Sequence, residues 1–302
     1  MTEGARRCAV IGSPIAHSLS PVLHRAAYQW LGLDWQYDRH EVTVAALPAF
    51  VAGLDASWRG LSCTMPLKEA IVELGVPDAT VEDLGVANTV IFDGAPGDRV
   101  STRIRNTDVE GLLVILSAAK DLSSDQAIGP TGRPSGQEIL RCAQDDREGA
   151  QDGRGGALVL GTGATATSAV YALSRVGVTD VQVAGRNRTA LARLAEKAER
   201  WGMTVTAQTL DGPWAPAGLA ISTVPAAVAA GLADRVTTAA AAVVDVLYDP
   251  WPTPLTAAAQ AAGRPTFTGR DLLAHQAVGQ LQLMTGRTVP ADVLLAALAA
   301  ER

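Results

Sequence analysis

The segment Ala157-Leu-Val-Leu-Gly161-Thr-Gly163-Ala-Thr-Ala166 constrains this chain more than any other stretch of it. It sets G-x-G-x-x-A directly behind a short apolar run and directly ahead of a helical pattern from Thr167 to Val176, the order strand, tight turn, helix. Gly161 permits the turn, Gly163 lets the backbone come close to a pyrophosphate, and Ala166 is small enough for helix to pack on strand. The N–H groups that open the helix, from Ala164 onward, have no partner inside it and face a phosphate. An ordinary glycine-containing turn is the plain alternative; the flanking strand and helix favour dinucleotide binding.

The next strand, Val181 to Ala184, ends in Gly185-Arg-Asn-Arg-Thr189. An NAD enzyme usually carries an acidic residue here for the ribose 2′-hydroxyl. Arg186 and Arg188 instead offer planar forks to a 2′-phosphate, and Asn187 and Thr189 add neutral hydrogen bonds. The pattern expects NADP(H), against the competing reading of a solvated basic loop at a sheet edge.

Elsewhere apolar runs alternate with helical patterns: Cys8 to Ile11 then Pro21 to Leu31, Gly60 to Cys63 then Leu67 to Leu74. The same rhythm runs past Ala157 through Thr189 to Trp201, Leu219 to Ser222 and Val243 to Leu247, and two helical stretches, Leu272 to Leu283 and Ala291 to Ala300, close the chain. This is the signature of α/β units with mostly parallel sheets. With 302 residues and 48% apolar side chains there is material for two cores. Residues 117–155 differ, with Leu122, Ile128, Ile139 and Leu140 as their large aliphatics, six glycines and scattered charges. Such a stretch buries too little surface to offset its ordering entropy, so a flexible insertion is expected, with one short helix near Glu138 to Gln144.

Composition removes several function classes. The net charge is −6 and no Lys/Arg run occurs, which argues against nucleic acid as a partner and for a small soluble molecule. Residues 212–233 carry no charge, but Pro213, Pro216 and Pro225 interrupt them, so no membrane span is expected. Cys8, Cys63 and Cys142 are an odd number without a CxxC pair, read as reduced thiols without a metal, and no apolar signal segment follows Met1; a cytoplasmic protein is expected.

The first half gathers polar side chains at the ends of its apolar runs: Ser18 and Ser20, Thr64 and Lys68, Asn88 and Thr89, Asn106 and Asp108. Ligands bind beyond the carboxyl ends of parallel strands. The serine pair can grip a carboxylate, and Ser20 also suits the N-cap of the helix that Pro21 opens.

The strings GSPIAHSLSPVLH (12–24), SCTMPLK (62–68), GVANT (85–89), NTDVEG (106–111), DVLYDPWPTPL (245–255) and GRDLLAHQA (269–277) together resemble the shikimate dehydrogenase family, in the family's order and over nearly the whole chain except the insertion. The resemblance implies a two-domain α/β enzyme: an N-terminal substrate domain with a mostly parallel sheet, residues 1–116 plus 264–302, and a Rossmann-like doubly wound NADP-binding domain, residues 156–263, with the active site in the cleft between them. It implies hydride transfer between 3-dehydroshikimate and shikimate with NADP(H), without a metal, in a monomer or homodimer. The catalytic lysine falls on Lys68 and its partner aspartate on Asp108. Ser18 and Ser20 correspond to the carboxylate grip; Thr64, Asn88, Asp108, Tyr248 and Gln276 correspond to ring-hydroxyl partners, held from both domains. Thr223, Gly269 and the backbone around Leu272 resemble positions lining the nicotinamide end.

Two residues depart from the pattern. Ser62 stands where many members have Asn, so one substrate hydrogen bond is expected to run through water. Asp271 stands where many have Gly, bringing a carboxylate toward the nicotinamide end that pairing with Arg270 or solvent would neutralise. Competing readings are an enzyme for a related ring, such as quinate or aminoshikimate, since one hydroxyl contact redirects specificity, and a catalytically silent binding module.

Overall fold

A computed structural model describes residues 5–117 and 156–301. They form two compact units, residues 5–111 with 273–301 and residues 112–117 with 156–272. The first unit holds β1 (Arg7–Gly12), α1 (Ser20–Leu31), β2 (Gln36–Glu41), α2 (Leu47–Ala52), β3 (Trp58–Cys63), β4 (Val76–Pro77), α3 (Ala79–Leu84), β5 (Thr89–Phe92) and β6 (Thr102–Arg105), followed by α4 (Thr107–Ser117). Its six-stranded sheet runs β2-β1-β3-β5-β6-β4. β1 is parallel to β2 and β3, and β4 to β6, whereas β5 is antiparallel to both its neighbours. Strand direction therefore brings the end of β1, the end of β3, the start of β5 and the end of β6 to one edge. Each of the four polar clusters lies at that edge. Burial enforces the register: β1 is covered on both faces, as a central strand should be, and Ile11, Leu61, Val90 and Ile104 share one core.

The second unit holds β7 (Ala157–Leu160), α5 (Ala164–Arg175), β8 (Asp180–Ala184), α6 (Arg188–Arg200), β9 (Thr204–Gln208), β10 (Ala217–Ser222), α7 (Ala226–Ala239), β11 (Ala240–Asp245), α8 (Pro254–Ala261) and β12 (Thr266–Thr268). All six strands are parallel in the order β12-β11-β10-β7-β8-β9, a doubly wound sheet whose order reverses between β7 and β10. Alternation along each strand feeds two cores. Ala157, Val159, Val183 and Ile221 pack with α5 and α6 on one face, and Leu158, Leu160, Ala220 and Val243 pack with α7 and α8 on the other. The last helices are α9 (Gly269–Thr285) and α10 (Ala291–Ala300).

Three expectations on elements change. The helix expected over Leu67 to Leu74 is a turn followed by a 3₁₀ helix at Ala70–Leu74, because the few residues between Pro66 and Gly75 cannot repay α-helix nucleation. The strand expected over Val243 to Leu247 ends at Asp245, whose carboxylate turns the chain by accepting from Leu247 N and Thr253 Oγ1. The units divide within α4 and α9, at 111/112 and 272/273, where 116 and 263 were expected: Leu112, Ile115 and Leu116 enter the second unit's core, and β12 pairs with β11. Of the insertion expected at 117–155, Ser117 ends α4, and residues 118–155, with the expected helix and Cys142, lie outside the described residues.

Candidate active site

In the first unit, the turn after β1 brings the Ser18 and Ser20 hydroxyls within 3.3 Å of one another. Ser20 is the first residue of α1 and not its N-cap, and the Ser18 hydroxyl accepts from Ser20 N at 3.4 Å while donating to Ser20 Oγ. Arg39 Nε holds the turn through the Ser18 carbonyl at 2.7 Å. Thr64 and Lys68 follow β3. Asn106 caps α4 by accepting from Val109 N and anchors itself by donating to the Val86 carbonyl, which places Asp108 in the helix's first turn. Lys68 Nζ lies 2.5 Å from Asp108 Oδ2, with side chains only 15% and 10% exposed. A charged pair so little solvated is held by its hydrogen bonds, and Asp108 Oδ1 accepts a second one, 2.9 Å, from Asn88 Nδ2.

Asn88 is the hub. Its Nδ2 also lies 3.0 Å from Gln276 Oε1, and its Oδ1 accepts from Thr107 N at 2.8 Å and Thr89 Oγ1 at 2.8 Å. The structure thus gathers Lys68, Asp108, Asn88 and Gln276 in one hydrogen-bonded cluster. Thr89, singled out in the sequence beside Asn88, belongs to it too, and so does Thr107, of which only the neighbours Asn106 and Asp108 were singled out. Ser62, where a substrate hydrogen bond through water was expected, has a buried hydroxyl that accepts from Tyr37 OH at 2.6 Å and donates to Gln280 Oε1 at 2.8 Å. Cys63, next to it, is buried, and desolvation pushes its thiol pKa up, as for a packing residue.

In the second unit, Gly161 and Gly163 follow β7 at the switch point of the sheet, and Thr223 follows β10 beside them. Gly161 N donates to the Ala184 carbonyl at 2.8 Å, and Thr223 donates from N and from Oγ1 to the Leu160 carbonyl, each at 2.8 Å. Gly161 has φ +118°, and a Cβ there would strike the Thr223 hydroxyl, so the fold itself requires glycine. A Cβ on Gly163 would meet nothing of the protein within 4 Å. Glycine at 163 is therefore a matter of what approaches from outside, and as the N-cap of α5 it supplies no side-chain cap to the helix start behind it.

A cavity of about 920 Å³ opens beyond β8 and β9, lined among others by Arg186, Arg188, Gln208, Thr209 and Asp211. Arg186, Asn187, Arg188 and Thr189 are all exposed, and of the four the two arginines line the cavity. Two guanidinium groups against one carboxylate leave it net basic. Asn187 has a capping role that the sequence reading did not assign it: its side-chain oxygen caps α6 by accepting from Ala190 N at 3.0 Å. The wall formed by residues 209–214 was missed in the sequence. Arg235 of α7 pins it, donating to the carbonyls of Leu210 (2.7 Å) and Gly212 (2.5 Å) and lying 4.1 Å over the Trp214 ring. These features suit a phosphorylated dinucleotide.

Tyr248 sits half-buried in the segment after β11. Gly269 opens α9, its N–H on the Leu247 carbonyl at 3.2 Å, and the Leu272 side chain is in the core. Asp271, expected to be neutralised by Arg270 or by solvent, lies away from solvent. It is buried and accepts from Thr268 N (3.0 Å) and Thr268 Oγ1 (2.7 Å), a capping box at the start of α9, while Arg270 stacks over Trp251 at 4.4 Å. Among the described residues, no group of three or more His, Cys, Asp or Glu gathers as a metal site, and no helix is long and apolar enough to cross a membrane.

Comparison with known proteins adds the following. Residues 10–90 match the model of the shikimate dehydrogenase substrate binding domain. A shikimate dehydrogenase (NADP(+)) of Methanocella arvoryzae is 31% identical, over 94% of this chain and 95% of the relative. One from Geobacter sp. strain M21 is 34% identical, over 99% and 97%. Among solved structures, Mycobacterium tuberculosis shikimate dehydrogenase is 36% identical with a TM-score of 0.78, over 98% of this chain and 99% of that one. A Thermus thermophilus shikimate 5-dehydrogenase in complex with NADP(H) and shikimate is 26% identical with a TM-score of 0.70, over 97% and 98%.

Proposed function

Because the chain belongs to the shikimate dehydrogenase family, we propose that it catalyses the reversible NADPH-dependent reduction of 3-dehydroshikimate to shikimate, a step toward chorismate and the aromatic amino acids. The observation that carries this reading is the Lys68–Asp108 pair, held by Asn88 at the polar edge of the first unit's sheet. NADPH, when bound, supplies the hydride. The Lys68 ammonium donates a proton to the ketone oxygen as negative charge develops there, and its own charge stabilises that oxygen before transfer. Asp108 accepts from Lys68 and so aims it. The Ser18 and Ser20 hydroxyls donate to the substrate carboxylate, and Thr64, Asn88 and Gln276 address the ring hydroxyls.

On the second unit, the turn at Gly163 and the N–H groups from Ala164 take the pyrophosphate, and Arg186 and Arg188 take the 2′-phosphate. The buried thiols of Cys8 and Cys63 suit a reduced, cytoplasmic setting.

The test is NADPH oxidation by the purified protein with 3-dehydroshikimate, run beside NADH and beside 3-dehydroquinate. Fast turnover only with 3-dehydroshikimate and NADPH is expected. Turnover confined to the other ring would reassign the substrate, and NADPH binding without turnover on either would replace the enzyme by a binding module.

A further inference from the structure

A buried chain of side-chain hydrogen bonds runs from Tyr37 to the Lys68–Asp108 pair, and each link has a fixed donor. Asn88 sets the sense. Its Oδ1 faces the Thr107 backbone N–H, which can only donate, and its Nδ2 faces the Asp108 carboxylate, which accepts. Turning the amide over would lose both bonds. Thr89 Oγ1, 2.8 Å from Asn88 Oδ1, must therefore donate to it. With its proton committed, Thr89 Oγ1 accepts from Gln280 Nε2 at 3.1 Å, and the same nitrogen reaches the Asn88 carbonyl at 3.4 Å. That turns Gln280 Oε1 toward Ser62, whose hydroxyl donates to it at 2.8 Å and accepts from Tyr37 OH at 2.6 Å.

The scaffold for this chain is regular structure. Ser62 and Thr89 are direct partners in the β3–β5 register, and Gln280 follows Gln276 by one helical turn on α9. Gln276 thus meets the nitrogen end of the Asn88 amide, while Gln280 acts on its oxygen end through Thr89. Tyr37, Ser62, Thr89, Asn88 and Gln280 are each 3% exposed or less, so water cannot readily replace a missing partner. In such surroundings aligned hydrogen bonds polarise one another, and here every donated hydrogen points along the chain toward Asp108.

We propose that Gln280 is a positioning residue for the reaction: through Thr89 it holds the Asn88 amide in the one orientation that presents N–H to Asp108, and so keeps Asp108 and Lys68 aligned. This rests on the reading of Lys68 and Asp108 as the reacting pair. Tyr37 and Ser62 anchor the far end of the chain. The inference gives Ser62, shorter than the asparagine common in the family, a role inside the protein: its hydroxyl is committed to Gln280.

The experiment compares Gln280→Met and Thr89→Val, which keep volume and remove the link, with Thr89→Ser, which keeps the hydroxyl, and with the Gln280→Met/Thr89→Val double variant. Two quantities are read: kcat with 3-dehydroshikimate and NADPH, and hydrogen exchange of the Asn88 side-chain amide by NMR, its signals assigned by their loss in Asn88→Asp. Each of the two link-breaking variants should lower kcat about tenfold, the double variant should fall no further than either, and Thr89→Ser should stay near the parent. The Asn88 amide should exchange faster in the same three link-breaking proteins. Folded variants with parental kcat and parental exchange would overturn the proposal, as would losses that multiply in the double variant, the pattern of two independent packing defects. Thr89→Val cuts the same link if Gln280→Met does not fold. Should the parent not turn over 3-dehydroshikimate, the functional reading fails by itself, and the amide exchange alone decides: parental exchange in the link-breaking variants ends the positioning role.

Discussion

The hydroxyl of Thr223 stands in the space that a Cβ on Gly161 would need. The contrast with Gly163, which faces open space, separates a glycine the fold requires from one a ligand requires. Gly161→Ala is expected to lower Tm by several degrees, since it combines strain at positive φ with a collision. Gly163→Ala should leave Tm within about a degree of the parent and raise KM for NADPH about tenfold or more. Thermal unfolding and cofactor kinetics on the same two proteins check this, and equal effects on both quantities would refute the division.

Arg188 and Arg235 act on the basic cavity in different ways. Arg188→Ala is expected to raise KM for NADPH about tenfold, the scale of one lost charged hydrogen bond, with little effect on NADH. Arg235→Ala removes the clamp on residues 209–214 and should raise KM for both dinucleotides by roughly threefold, with kcat at saturation unchanged. Steady-state kinetics with both dinucleotides reads each effect.

Asp271 is a structural carboxylate. Its two bonds from Thr268 close the start of α9, so Asp271→Ala should cost about 1 kcal/mol of stability, a few degrees in Tm. Asp271→Asn, which keeps an acceptor, should cost less. A gain in NADPH affinity in either variant without a loss of stability would show that the carboxylate bears on the cofactor instead.

What could be read from the chain alone divides along physical lines. The turn at Gly161 and Gly163 was legible because three local signals coincide there: the apolar strand, the glycine spacing and the helix. Asn187 and Asp271 carried local signals of a different kind, an Asn immediately before a helix and a Thr-x-x-Asp pair, and reading them for ligands overlooked their capping roles. The Gln280 chain could not be read at all, since its links join Ser62, Thr89 and Gln280 across roughly two hundred residues and exist only once β3, β5 and α9 are packed. The wall held by Arg235 was hidden for the same reason.

His24 gives the pH dependence a named source. It is fully buried, stacked on Tyr37 at 3.9 Å, and desolvation pulls its pKa from 6.5 down to about 4, against the bond to the Ser20 carbonyl. The unfolded chain therefore binds a proton between pH 6.5 and 4 where the folded one does not. Stability falls as pH falls through that window, by about 2 kcal/mol from this residue at pH 5. His24→Phe, which keeps a ring against Tyr37, should show a flatter dependence of Tm on pH between 7 and 5. An unchanged slope would mean that His24 is protonated in the folded protein.

The central claim is that Lys68, aimed by Asp108, is the proton donor to the ketone. The most direct measurement is kcat for 3-dehydroshikimate reduction by Lys68→Met, with substrate affinity measured separately by fluorescence titration and folding checked by Tm. A fall in kcat of about a thousandfold with affinity kept within a few fold is the predicted result. A folded Lys68→Met protein turning over within tenfold of the parent would contradict the account.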